Sequence, residues 1–115
     1  MATITPTSTQ ALGSVAVTET TLDGTDDFVY TPGTTKYLIL RNGTGGPLTP
    51  NIDGDGATTQ LAPGVGNVDI SGGFTFPSIA DGATVVIDLD RIRSYLAGTI
   101  AMTGGTGLVA TLLEV

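Results

Sequence analysis

The side chains able to do chemistry are few and widely spaced. In 115 residues there are 11 Asp and Glu against 4 Lys and Arg, a net charge of −7, and no His, Cys or Trp. Without imidazole there is no base titrating near neutral pH, and without thiols there is no thiolate nucleophile, disulfide or thiolate metal site. Three groups of acids have suggestive spacing. Asp53-Gly54-Asp55-Gly56 has the alternate carboxylates with which a calcium loop begins, but Ala57 and Thr58 follow and no acid comes before Asp69. Asp-Gly pairs also make the commonest hairpin turns, so this segment is expected to be a tip. Asp23-Gly24-Thr25-Asp26-Asp27 places three carboxylates in five residues, as a metal site could use, but turn chemistry favours an Asp-rich surface loop. Asp88 and Asp90 could share a strand face, as a glycoside-cleaving pair would, but no Trp is present to stack a sugar and Asp90 suits a helix N-cap.

The remaining motifs also read as structural. Ser8, Ser14, Ser71, Ser78 and Ser94 have no His to activate them, and a Ser–Lys pair would need the single Lys36. Gly43-Thr44-Gly45-Gly46 and Gly104-Gly105-Thr106-Gly107 lack the following helix and Lys of a phosphate cradle, so they are expected to be turns. Asn42-Gly43-Thr44 fits a glycosylation sequon, but the opening residues show neither the charged nor the apolar region of a secretion signal, and the tripeptide is read as a turn marker. Lys36, Arg41, Arg91 and Arg93 cannot build the basic stripe that nucleic acid requires. The apolar runs Tyr37–Leu40 and Val85–Ile87 fall far short of the ~20 residues of a membrane span. A non-enzymatic protein is expected, with no cofactor, metal, small-molecule substrate, nucleic acid or membrane among its partners.

The elements that would position such surfaces are strands. Gly and Pro recur every few residues between segments rich in Val, Ile, Leu and Thr, which is an all-β pattern. Residues 1–13 read as an extended N-terminal arm, with Ile4 and Leu12 as apolar handholds, and residues 14–115 as one β-sandwich domain. Lys36–Asn42, apolar on both faces, should lie centrally in a sheet. Leu48–Asp53 contains Pro50 and should be an edge or bulged strand. Asp90–Leu96 is the one segment with helical spacing. Thr99–Met102 and Leu108–Val115 are expected to pair as a closing hairpin across the Gly-rich turn. About eight strands result, which points to a single-domain antiparallel β-sandwich, most economically a jelly roll, with an immunoglobulin-like sandwich as the other possibility.

The order of features, from the Thr-rich start through Lys36-Tyr37-Leu38-Ile39-Leu40-Arg41-Asn42-Gly43 and Pro77-Ser78-Ile79-Ala80-Asp81-Gly82-Ala83-Thr84-Val85-Val86-Ile87 to the last strand Leu108–Val115, resembles the small β-sandwich head proteins of tailed bacteriophages. These include the capsid decoration, or cement, proteins. The resemblance implies a virion structural protein, a homotrimer assembled in the host cytoplasm. It would sit on the outer surface of the capsid, bind the major capsid protein and stabilise contacts between capsomers. Interface candidates are Ile4, Pro6 and Leu12 in the arm, Phe76 and Pro77 before a turn, and Arg91 and Arg93 in the helical stretch. The alternatives are a carbohydrate- or receptor-binding module of a fibre or tail, for which calcium in the Asp-rich loops would speak, and a head–tail completion or tail-tube subunit.

Overall fold

Alternation explains where the core lies. Strand β5 (Lys36–Arg41) buries Leu38 and Leu40 completely, while Tyr37 and Ile39, on its other face, are half-covered. Its neighbour β12 (Val109–Glu114) sets Ala110 opposite Leu40 and Leu112 opposite Leu38, and all four are fully buried. This apolar layer faces a second one, in which Phe28 pairs with Ile100 and Ile52 with Met102 on neighbouring strands. Each such aliphatic or aromatic side chain contributes about 1.5–3 kcal/mol on burial.

A computed structural model describes residues 2–9, 13–30, 33, 35–56 and 58–114. The other strands are β1 (Ala2–Thr3), β2 (Pro6–Ser8), β3 (Glu19–Thr21), β4 (Thr25–Phe28), β6 (Asn51–Gly54), β7 (Thr59–Ala62), β8 (Gly66–Asp69), β9 (Phe74–Thr75), β10 (Thr84–Asp88) and β11 (Ile100–Thr103). One sheet has the order β1-β4-β11-β6-β9 and the other β10-β5-β12-β2, with β3 also on β12; among the described residues β7 and β8 pair only with each other. The fold is an all-β sandwich. Without β1, β2, β7 and β8, the first strand pairs with the last (β3–β12), the second with the second-last (β4–β11), then β5 with β10 and β6 with β9. Pairs β5–β12 and β6–β11 complete the two sheets, and all six pairings are antiparallel.

Four local expectations change. Residues 2–9 are extended, but they lie within both sheets: β1 runs parallel to β4, β2 runs parallel to β12, and Ile4 between them is 1% exposed in the common core. Two parallel pairs therefore flank an otherwise antiparallel sandwich. Pro50 stands just before β6, which is an interior strand; the missing N–H falls outside the ladder, and the Pro50 carbonyl accepts from Phe76 N–H at 2.9 Å. Strands β11 and β12 belong to different sheets, so the Gly-rich turn between them is a crossover. There Gly104 (φ +76°) and Gly107 (φ +90°) reverse the chain, and a Cβ on Gly105 would press on Leu22 and Leu108. Leu89–Tyr95 is a 3-10 helix kinked at Ile92 and capped by Asp88, which accepts from Asp90 N–H at 3.0 Å; the expected cap, Asp90, lies inside it.

Candidate interaction surface

Two sheet edges stand open side by side. Strand β9 ends one sheet, strand β10 ends the other, and the groove between them encloses about 240 Å³. One wall comes from Phe74, Phe76, Pro77 and Ile79, the other from Val85, Val86 and Ile87. The aromatic wall is rigid, because Phe74 and Phe76 meet edge to face with centroids 5.2 Å apart and Phe74 also packs against Tyr95 at 6.0 Å. Ile79 is pinned to Leu48 by reciprocal backbone hydrogen bonds of 3.0 and 2.7 Å. Opposite, alternation along β10 turns Val85 and Ile87 toward the core and leaves Val86 64% exposed. An unpaired edge beside an apolar groove is the geometry on which another polypeptide docks, through main-chain bonds and side-chain pockets together.

The turns that support this groove are held by Asn42, which is fully buried. Its amide donates to the carbonyls of Ile79 (2.8 Å) and Gly46 (2.9 Å), and its side-chain oxygen accepts from the N–H (3.0 Å) and hydroxyl (2.8 Å) of Thr44. Its backbone bonds Ala83 and Gly82 across the same loop pair. The sequon asparagine is thus a structural hub closed to an incoming glycan, a role for which the sequence offers only the Asn-Gly turn signal.

Hairpin β7–β8 carries a second apolar surface. Its tip is Ala62-Pro63-Gly64-Val65, with Gly64 at φ +80° and a 3.0 Å bond from Val65 N–H to the Ala62 carbonyl, the pattern of a type II turn. Leu61, Val65 and Val68 are 68%, 78% and 40% exposed. At the base Ile70 is buried, and the bond from its N–H to the Thr58 carbonyl extends the hairpin's own ladder by one rung. At the end of β8, the Ser71 hydroxyl and N–H donate to Asp69 and hold its carboxyl below the ordinary carboxylate value.

The acids have local structural roles. Asp26 is 1% exposed and accepts from the N–H groups of Ala2, Asp23 and Gly24, so it ties strand β1 to the turn before β4. Asp23 accepts from Thr25 N–H, and Asp55 accepts from Thr99 N–H at 2.8 Å. Asp90 takes the Tyr30 hydroxyl at 2.6 Å; that bond, then burial and the carboxylate charge, push the phenol above its ordinary pKa. The Lys36 ammonium lies 5.6 Å from the centre of the Tyr30 ring. Among the described residues no three acids gather as a metal site. A further cavity of about 240 Å³ is lined in part by Asp27, Val29 and Thr99; one carboxylate oxygen of Asp27 is buried and without a hydrogen-bond donor among the described residues.

The interface candidates from the sequence divide accordingly. Phe76 and Pro77 do meet, one buried in the groove wall and the other exposed on its rim. Ile4, expected as a handhold for a partner, is inside the chain's own core, because the strands on either side of it complete both sheets. Pro6 is exposed on β2, Arg91 and Arg93 are exposed on the 3-10 helix, and Leu12 lies outside the described residues. Val86 and the hairpin aliphatics were missed, since an exposed Val in a strand reads the same as a buried one. No family model, curated protein or solved structure matches the chain.

Proposed function

We propose that this chain is a non-enzymatic structural subunit of a tailed-bacteriophage head, a decoration protein bound to the outer surface of the capsid that braces contacts between capsomers. The observation that carries the reading is the uncharged apolar groove between two open sheet edges on an otherwise acidic body, a surface through which copies can join into a brace that spans capsomers. Its walls are fixed by edge-to-face aromatics and a buried asparagine, so little ordering remains to be done when a partner binds.

The pairing of first strand with last, second with second-last and so inward is what a long hairpin makes when it is rolled up, and we read the sandwich as a jelly roll on that ground. Such a body suits a clamp: many modest contacts, repeated over a shell, gain from effective concentration. In this reading the N-terminal segment belongs to the body of the clamp. A homotrimer on the major capsid protein, assembled in the host cytoplasm, is the form we propose. Co-sedimentation with purified shells of a tailed-phage major capsid protein from the same genome as this chain tests the reading. Saturable binding and a raised shell-disruption temperature are expected, and shells that remain bare at micromolar protein would reject it.

A further inference from the structure

We propose that copies of this chain join head to tail, the β7–β8 hairpin of one inserting into the β9–β10 groove of the next. The inference adds to the capsid reading the surface by which subunits meet, and it rests on that reading only for the place where the assembly works. A two-stranded ribbon is marginal in water on its own, and this one pairs with neither sheet. Its apolar side chains are also distributed unusually. In the register Leu61↔Asn67 and Gln60↔Val68, Leu61 and Val68 fall on opposite faces, and Val65 occupies the tip. A ribbon apolar on one face would lie flat on a surface; one apolar on both faces and at its end fits a cleft with two apolar walls.

The groove offers those walls, Phe74 and Phe76 on one side and Val85 to Ile87 on the other. Its volume of about 240 Å³ lies below the roughly 300–1,000 Å³ of small-molecule pockets and suits a few aliphatic side chains. Charge selects a second copy as the occupant. The chain carries −7 overall, yet residues 56–68, which include the hairpin up to Val68, contain no Asp, Glu, Lys or Arg, and neither do residues 70–80 or 82–87, which form the groove. A partner chosen for its basic charge would bind the acidic remainder of the surface; two like-charged copies can meet only where charge is missing from both. The free edge of β10 and the outer edges of the hairpin also supply unpaired backbone groups to one another. Knob and groove are different surfaces, so the contact is heterologous and closes into a ring if the rotation permits.

The test is mass photometry and light scattering of the purified full chain, without shells. The wild type is expected to form a discrete oligomer at micromolar concentration. Val65→Asp in the knob and Val86→Asp in the groove should each weaken association at least tenfold, while Val29→Asp, at a 71% exposed site outside both surfaces, should not. All are exposed positions, and circular dichroism checks their folding. An equimolar mixture of the Val65→Asp and Val86→Asp chains should recover a two-chain species, because each retains the surface the other lacks; misfolding cannot produce that result. A monomeric wild type, an oligomer indifferent to both substitutions, or a mixture without complementation would overturn the proposal. Failure to bind shells by an oligomer that passes these tests would count against the capsid reading alone.

Discussion

The side-chain amide of Asn42 donates a 2.8 Å hydrogen bond to the carbonyl of Ile79, joining the turn after β5 to the floor of the β9–β10 groove. The same residue also bonds half-buried Gly46 and exposed Thr44, so its removal leaves the buried Ile79 carbonyl without this donor and releases the turn that Thr44 closes. An unmade buried hydrogen bond costs about 1–3 kcal/mol. Asn42→Ala is therefore expected to lower stability in urea by about 3 kcal/mol, and Asn42→Asp, which loses the amide donor, should also destabilise. Loss of under about 0.5 kcal/mol would show that the loops hold each other without it.

Ile4 tests whether the N-terminal segment is part of the body. It is 1% exposed among residues of both sheets, and Ile→Ala at such a site costs about 2–5 kcal/mol. Ile4→Ala should lower the unfolding midpoint sharply, whereas Pro6→Ala at an exposed position should change it little. Equal, small effects would mean that residues 2–9 detach readily.

Gly54 packs against the chain leaving the 3-10 helix, where a Cβ would collide with the carbonyl oxygens of Tyr95 and Ala97. Neither is the end of a flexible side chain, so β6 or the loop must move. Gly54→Ala is expected to cost about 2 kcal/mol or more in thermal unfolding, and Gly43→Ala, with open space around it, much less.

Tyr30 gives the fold a measurable alkaline limit. Its phenol is raised above the ordinary value chiefly by the bond to Asp90, so the folded state favours the protonated form. The bond's contribution is complete below the unfolded phenol pKa of about 10 and is lost as pH rises through the higher folded value. Ultraviolet titration should show one of the three tyrosines ionising late, and Tyr30→Phe should remove that phase and flatten the alkaline loss of stability. A late phase that persists in Tyr30→Phe would refute the assignment.

What the sequence made legible follows from what is local. The run Tyr37–Leu40 within Lys36–Asn42, apolar on both faces, located the central strand, and Gly and Pro located most turns, because both signals act over a few residues. The crossover at Gly104–Gly107 looks like a hairpin in the sequence because turn chemistry reports a reversal but not which sheet receives the chain. Asp88 caps the helix in place of the expected Asp90 for a similar reason: either can cap a short helix, and the Tyr30 hydroxyl, 60 residues away in sequence, occupies Asp90. Phe76-Pro77 was visible as an interface candidate, but its opposite wall on β10 depends on two sheets ending side by side, which no local pattern records.

Electron cryomicroscopy of particles assembled with this chain and the major capsid protein tests the central claim most directly, by locating the chain on the particle. The account predicts density for the sandwich on the outer face of the shell, repeated between capsomers, with each groove facing a neighbouring polypeptide. Density confined to the tail or the head–tail vertex, or shells without it, would contradict the account.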